Sequence, residues 1–147
     1  MKEHKHLGVY GLLIEEEKIL LINKITGPYD GKLDLPGGTI EFTETPLETL
    51  RRELLEETGI EIEETSLFDA DSVVVNWCHN NIDIKTHHVG IFYKILKYKN
   101  NIINKINIDS NNDDSLGASF YEINKLNKKD LSAIAILELE KLGYKLK

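Results

Sequence analysis

The segment from Thr45 to Gly59 constrains the fold more than any other part of the chain, because it carries a complete set of helix boundary signals. Thr45 is followed by proline at the first helical position and by Glu48 three residues later, which is the arrangement of a capping box. Gly59 supplies a residue that tolerates the left-handed backbone in which many helices end. These signals predict a helix from about residue 46 to about residue 58.

The predicted helix places a crowded group of carboxylates beside an apolar stripe. At about 100° per residue, three leucines fall on one narrow stripe that can face a core: Leu47, Leu50 and Leu54. Glu53, Glu56 and Glu57 fall in a neighbouring arc, where their like charges repel and the helix dipole also disfavours them. Hard oxygen ligands suit Mg²⁺, so the crowding indicates a divalent cation that arrives with the substrate. On the helix alone, a solvated acidic face is an equal alternative.

The rest of the chain alternates strand-like segments with turns. Polar or Gly- and Pro-containing turns are predicted at residues 15–17 and 24–32. A second helix is predicted from about residue 130 to residue 142, with Asp130 as its cap. Residues 100–112 are predicted to hold one strand followed by a loop. The other strands are predicted at residues 6–14, 19–22, 33–35, 72–77, 88–98 and 118–123.

Length and charge limit what the chain can do. Its 147 residues predict a single domain over 1–147. The net charge of −7, from 25 acidic and 18 basic residues, argues against binding to a nucleic acid duplex, which requires many phosphates to be neutralised by Lys and Arg. The absence of a long apolar stretch predicts no membrane partner and a cytoplasmic location. The single cysteine, Cys78, cannot form an internal disulfide.

Residues 38–60 read GTIEFTETPLETLRRELLEETGI and resemble the Nudix box of the Nudix hydrolase family. That box is a glycine, five residues, a glutamate, seven residues, Arg-Glu, an apolar residue, any residue, Glu-Glu, any residue, a glycine and an apolar residue. The matching positions are Gly38, Glu44, Arg52, Glu53, Leu54, Glu56, Glu57, Gly59 and Ile60. Leu35-Pro36-Gly37 and Glu41 also resemble the family's approach to the box. The positions that depart from common family residues, none of them a required chemical group, are Thr43, Leu50 and Arg51.

This resemblance implies a fold, a reaction and a set of roles. The fold is an α/β (α+β) Nudix-type α/β/α sandwich, with a mixed β-sheet between helices. The reaction is Mg²⁺-dependent hydrolysis of a phosphoanhydride bond in a small nucleoside diphosphate-X compound, with Mn²⁺ as an alternative ion. Glu53, Glu56 and Glu57 are implied to ligate the metal, with the Gly37 carbonyl as a further ligand. Either Glu53 or Glu56 is implied to be the general base.

The same resemblance implies supporting roles for the remaining positions of the box. Arg52 is expected to hold the carboxylates in place, with Glu44 as its partner ahead of the helix. Gly59 is expected to end the helix. Gly38 and Glu41 support the motif. A homodimer is compatible with the family.

Outside the box the sequence offers weaker candidates. Asp114, its neighbour Asp113 and Glu122 are candidates for one more acidic metal ligand, although the sequence favours a solvated loop acid at each position. His87 and His88, at a predicted strand end, are candidates for phosphate contact or for a structural role. Trp77 and Tyr29 could stack on a base or belong to a core or rim. Cys78 has no predicted chemical role.

Two other function classes compete with the hydrolase. A Nudix-fold nucleotide sensor would have lost catalysis, but here every acidic position of the box is present. A Nudix-fold isomerase acting on an isoprenoid diphosphate would require extra metal ligands and a longer chain. The box leaves the substrate open among nucleoside triphosphates, nucleotide sugars such as ADP-ribose, dinucleoside polyphosphates and capped RNA ends, of which long RNA fits the acidic charge least.

Overall fold

The computed structural model describes residues 1–100, 102 and 115–147. Its elements follow the predicted alternation of strands with two α-helices, the first after the fifth strand and the second after the eighth. Short 3₁₀ turns lie at Gly27–Tyr29, Ile123–Lys125 and Lys128–Asp130. The helices and strands are β1 (Lys2–Leu12), β2 (Ile14–Glu15), β3 (Lys18–Lys24), β4 (Leu33–Asp34), β5 (Gly37–Thr39), α1 (Pro46–Thr58), β6 (Glu61–His79), β7 (Ile82–Lys99), β8 (Ser115–Glu122) and α2 (Ala133–Lys141).

The strands form two sheets. The larger sheet has the order β5-β1-β7-β6, in which β1 and β7 run parallel and the other neighbours run antiparallel. The smaller sheet has β3 at its centre, paired antiparallel with β2, β4 and β8. The mixed α/β architecture expected from the sequence is therefore confirmed.

Alternating side chains on β1 and β3 supply two separate cores. Val9 of β1 and Leu20 of β3 pack in the cluster that contains Leu50 of α1. The next residues along these strands, Tyr10 and Leu21, point the other way and join the cluster with α2. Because successive side chains of a strand alternate between its faces, this pattern places one helix on each side of the strands.

The first helix has the predicted bounds and caps. Glu48 N donates to Thr45 Oγ1 at 3.2 Å and Thr45 N donates to Glu48 Oε1 at 2.9 Å, so both halves of the capping box form. Gly59 adopts a φ of 81°, and its N–H donates to Leu55 O at 3.0 Å. The buried leucines of the apolar stripe are Leu50 and Leu54.

The second helix begins later than predicted. It starts at Ala133, and its cap is Ser132, whose Oγ accepts a hydrogen bond from Ala135 N at 3.2 Å. Asp130 was predicted to be the cap but ends a 3₁₀ turn instead. Ser132 also donates to the buried Asp34 at 2.6 Å, which ties the start of α2 to β4.

The strands after α1 are much longer than predicted. The segments expected at 72–77 and 88–98 are parts of a hairpin with arms of 19 and 18 residues. Asn80 and Asn81 join the arms with φ values of 50° and 63°, which asparagine tolerates better than most residues. His88 therefore lies inside a strand, not at a strand end as predicted.

The strand and loop predicted over residues 100–112 lie outside the described residues, apart from residues 100 and 102. Within the described ranges, neither α-helix is long and apolar enough to cross a membrane.

Candidate functional site

The chain turns into β5 at Gly37 and Gly38, and the backbone there leaves no room for a side chain at Gly37. Gly37 pairs with Tyr10 and Gly38 pairs with Val9. Gly37 has a φ of 143°, and a Cβ added there would lie 2.1 Å from the carbonyl oxygen of Val9. Only glycine fits this position without displacing backbone.

Two glutamate side chains of α1 lie against the same two glycines. Gly37 N donates to Glu57 Oε1 at 2.8 Å, and Glu57 is only 4% exposed. A Cβ added at Gly38 would lie 2.6 Å from the carboxyl carbon of Glu53. The absence of a side chain at Gly38 therefore lets the Glu53 carboxylate approach the backbone of β5.

Arg52 organises the carboxylates around this turn. Its Nε donates to Glu44 Oε2 at 2.8 Å and its Nη2 to Glu44 Oε1 at 3.0 Å, a two-pronged contact. Its Nη1 donates to Glu53 Oε1 at 2.9 Å and lies 3.6 Å from Glu41 Oε1 and from Glu56 Oε2. One guanidinium thus contacts four of the acids singled out in the sequence.

These contacts keep Glu44 ionised. Hydrogen bonds from Arg52, and after them the backbone N–H of Glu41, lower the pKa of Glu44 to about 2. The same carboxylate accepts from Thr49 Oγ1 at 2.8 Å. The pKa of Arg52 is raised in turn, chiefly by its hydrogen bonds to Glu44, so the pair remains charged at neutral pH.

The acids of α1 differ in their exposure. The side chain of Glu56 is 51% exposed and that of Glu53 is 18% exposed, whereas Glu57 is buried. Over the described ranges, no three Asp, Glu, His or Cys side chains are already arranged around one point that could hold a metal ion. Glu53 and Glu57 instead accept hydrogen bonds from Arg52 and from Gly37 N.

The donor set nevertheless fits a divalent cation. Three glutamates line one cavity beside a turn where glycine removes the side chain that would otherwise fill the space. Their oxygens are hard ligands of the kind that Mg²⁺ and Mn²⁺ take. Glu56, the most exposed of the three, can reorient at little cost.

The cavity extends well beyond the glutamates and has a volume of about 860 Å³. Its acidic end is formed by α1 and β5, and its other end lies over β1, β6, β7 and the segment after β3. The side chains and backbone that line the second end include Lys2, His4, His6, Tyr10, Lys24, Tyr29, Trp77 and His88.

A buried hydrogen-bonded trio of side chains lines the second end of the cavity. His88 is 1% exposed, with Tyr10 Oη 2.6 Å from its Nε2 and Tyr29 Oη 2.8 Å from its Nδ1. Burial, and after it the charges of His6, Lys24 and His4, lower the pKa of His88 to about 3, so its ring is neutral. Burial also raises the pKa of both tyrosines, which therefore keep their protons.

The candidates outside the box differ in where their side chains lie. Tyr29 is buried and bonded to His88, so it is a wall residue and not an open stacking platform. Trp77 lines the cavity and donates from Nε1 to Thr86 Oγ1 at 2.8 Å. His87 lies on the opposite face of β7 from His88. Cys78 is exposed.

Of the three candidates for an extra acidic ligand, the structure describes only Glu122. Glu122 ends β8 and pairs with Lys125 at 3.0 Å, and it does not line the cavity. Asp113 and Asp114 lie outside the described residues.

Sequence reasoning missed several residues of the site. Tyr10, His6, Lys24 and Thr39 line the cavity, and none of them occupies a required position of a motif. The alternation of polar and aromatic residues along the first strand was the available signal, but reading it requires the strand's pairing with β7.

Comparisons with known proteins identify the family to which the chain belongs. The family model of the NUDIX domain matches residues 4–138. An ADP-ribose pyrophosphatase of Methanocaldococcus jannaschii is 42% identical over 57 residues, which are 39% of this chain and 34% of that protein. A "Probable DHNTP pyrophosphohydrolase" of Lactococcus lactis subsp. cremoris is 31% identical over 88 residues, 59% of this chain and 51% of that protein. The chain thus matches between a third and a half of the length of these relatives.

Solved structures show the same fold. A MutT NUDIX hydrolase from Burkholderia pseudomallei superposes with a TM-score of 0.72 at 22% identity, covering 95% of this chain and 98% of that one. A MutT protein from Bacillus halodurans gives 0.69 at 18% identity, covering 96% and 84%. At such identities the likeness concerns the fold alone. The match over residues 4–138, on a chain that also carries every position of the box, makes this protein a member of the Nudix hydrolase family.

Proposed function

We propose that this protein is a Mg²⁺-dependent pyrophosphohydrolase that cleaves a phosphoanhydride bond in a nucleoside diphosphate-X compound of the nucleoside triphosphate or nucleotide sugar type. The observation that carries the proposal is that Glu53, Glu56, Glu57 and Arg52 line one cavity beside the Gly37-Gly38 turn. The pyrophosphatase names of the two partial relatives support it. The proposal treats residues 1–147 as one domain that acts on small molecules in the cytoplasm.

Glu53, Glu56, Glu57 and the Gly37 carbonyl would hold the Mg²⁺ ion, and Mn²⁺ is the alternative ion. When bound, Mg²⁺ supplies charge that neutralises the diphosphate and makes water more acidic. Glu53 or Glu56 accepts a proton from the attacking water. The new bond joins the water oxygen to phosphorus, and the anhydride P–O bond breaks, which yields a nucleoside monophosphate and a phosphorylated X.

The other residues of the site position these groups. Arg52 fixes Glu53 through its Nη1 and is itself held by the two-pronged contact with Glu44. The N–H of Gly37 holds Glu57 at the buried end of the cavity. A general base held in this way loses little entropy in reaching its reactive position.

A substrate panel tests the proposal. Nucleoside triphosphates, nucleotide sugars, ADP-ribose and dinucleoside polyphosphates are incubated with Mg²⁺ or with EDTA in ¹⁸O-labelled water. Mass spectrometry of the products is expected to show Mg²⁺-dependent cleavage of at least one class, with one ¹⁸O in the phosphate that water attacks. Binding of nucleotides without any cleavage would contradict the proposal and favour a sensor.

Gly38→Ala is expected to lower kcat/KM about ten- to a hundredfold, because its Cβ would meet the Glu53 carboxyl group. The Glu53 side chain can rotate away from the new methyl group, so thermal unfolding should shift only slightly. Steady-state kinetics and a melting curve on the same preparation measure both effects. Full activity in this variant would show that the position of Glu53 over β5 does not matter.

A further inference from the structure

The end of the cavity opposite α1 has a floor of three paired strands. Residues directly opposite each other on neighbouring strands share a face of the sheet. The register therefore gives three cross-strand rows on the floor, and each row begins with a basic or titratable residue of β1. The rows are Lys2–Ile84–Trp77, His4–Thr86–Val75 and His6–His88–Val73.

Strand alternation places the acids of this part of the sheet on the face opposite the cavity, together with Lys5 and Lys85. Lys2, His4 and His6 point toward the cavity, whereas the acids beside them in sequence and register, Glu3 and Asp83, belong to the opposite face. Lys24, at the end of β3, lines the same cavity from the other side. Nitrogen-bearing side chains thus approach this space from two elements.

Acidic side chains are scarce at this end. Among the described residues that line the cavity outside α1 and the box, Asp34 is the one with a carboxylate side chain. It is only 3% exposed. It accepts from Leu35 N at 2.8 Å and from Ser132 Oγ at 2.6 Å, so it is engaged with the protein. The cavity therefore changes from acidic at α1 to basic at its far end.

The rings of the floor are held in place. His6 stacks on His88 with centroids 4.4 Å apart at an angle of 11°, and its Nε2 lies 2.7 Å from Thr39 Oγ1. Trp77 is fixed by its bond to Thr86. Pre-positioned donors lose less entropy on binding than free side chains do.

Distance along β1 separates this basic end from Gly38 at the acidic end of the cavity. His6 and His4 lie three and five residues before Val9, the partner of Gly38, which is roughly 10 and 17 Å at about 3.3 Å per residue. A 2′- or 3′-phosphate lies on the far side of the ribose ring from the diphosphate, so it reaches farther from the acidic end than a neighbouring phosphate of the same chain does. It therefore extends toward His6, the nearer of the two histidines.

We propose that the basic end of the cavity, formed by Lys2, His4, His6 and Lys24, binds a second phosphate carried on the ribose of the nucleotide substrate. The inference rests on the proposed function and narrows it. The preferred substrates are diphosphate compounds whose nucleoside bears an additional 2′- or 3′-phosphate. Charge-assisted hydrogen bonds to that phosphate supply the discrimination.

Matched ligand pairs test the inference. Calorimetric titration with Mg²⁺ compares AMP with adenosine 2′,5′-bisphosphate and adenosine 3′,5′-bisphosphate. One bisphosphate is expected to bind at least about tenfold tighter than AMP, and its advantage should shrink as salt is raised. Hydrolysis is compared within the pairs ADP-ribose and 2′-phospho-ADP-ribose, and dephospho-CoA and CoA.

Variants assign the effect to the cavity. Lys24→Met should reduce the ratio of the two affinities several-fold, whereas Lys97→Met, an exposed lysine of β7 that does not line the cavity, should preserve it. Equal affinity for AMP and both bisphosphates, or no binding of any of them, would overturn the inference. If the enzyme cleaves substrates but does not distinguish AMP from the bisphosphates, the inference is wrong and the proposed function is unaffected. If it distinguishes them but cleaves no substrate, only the proposed function is contradicted.

Discussion

Glu53→Gln is expected to lower turnover by about 10²- to 10⁴-fold, the range that a general base contributes. The amide keeps the size of the side chain but cannot accept a proton from water or carry the negative charge that a divalent ion requires. Glu53 is the acid whose carboxyl group lies over Gly38 and accepts from Arg52 at 2.9 Å. Both contacts hold it at the acidic end of the cavity.

The measurement is kcat and KM for the best substrate of the panel across pH, at saturating Mg²⁺. Glu56→Gln is the matched comparison, because Glu56 is on the same helix, is 51% exposed and lies 3.6 Å from Arg52. The variant that loses the acidic limb of the pH profile identifies the base. Thermal unfolding of both should stay close to that of the parent, and if both kept full activity the assignment of the site would be wrong.

Local signals explain why so much of the acidic end could be predicted. The capping box, Pro46 and Gly59 define α1 from within fifteen residues. Once the helix is placed, its periodicity alone puts Glu53, Glu56 and Glu57 on adjoining faces. The contact between Arg52 and Glu44 spans eight residues, so it also depends on local geometry.

The basic end could not be predicted because it depends on long-range pairing. His6 meets His88 only through the parallel register of β1 and β7, which joins residues 82 positions apart. Tyr29 reaches the same histidine across 59 positions. Nothing near any of these residues in sequence specifies that register, since it is selected by the packing of the whole sheet.

A second large effect, on the pH dependence of stability, is expected from a substitution at Glu138 of α2, which does not line the cavity. Glu138 is fully buried, and in the described part of the chain neither of its carboxylate oxygens accepts a hydrogen bond from a donor group, whereas its protonated form can donate to the Asp69 carboxylate. Burial, and after it the nearby Asp69 carboxylate, raises its pKa to about 8. Lys141 pairs with Asp69 and Asp71 instead, which lowers the pKa of both aspartates and leaves Glu138 protonated at neutral pH.

A raised pKa makes stability depend on pH in a defined direction. The ordinary pKa of a glutamate is 4.5, so between that value and about 8 the folded protein binds a proton that the unfolded chain has released. The contribution of Glu138 is therefore fully present below pH 4.5 and is lost as the pH rises through 8. The slope reaches about 1.4 kcal/mol per pH unit.

Glu138→Gln should remove this loss, because glutamine resembles the protonated acid and does not titrate. We expect the variant to match the parent near pH 5 and to exceed it by about 4 kcal/mol at pH 8.5. Urea denaturation at pH 5, 7 and 8.5 measures the difference. Glu140→Gln, which removes an exposed partner of Lys128 from the same helix, is the control and should change stability little at any pH. A stability difference for Glu138→Gln that stays constant from pH 5 to 8.5 would mean that this carboxyl group is ionised in the folded protein, and the account of its burial would then be wrong.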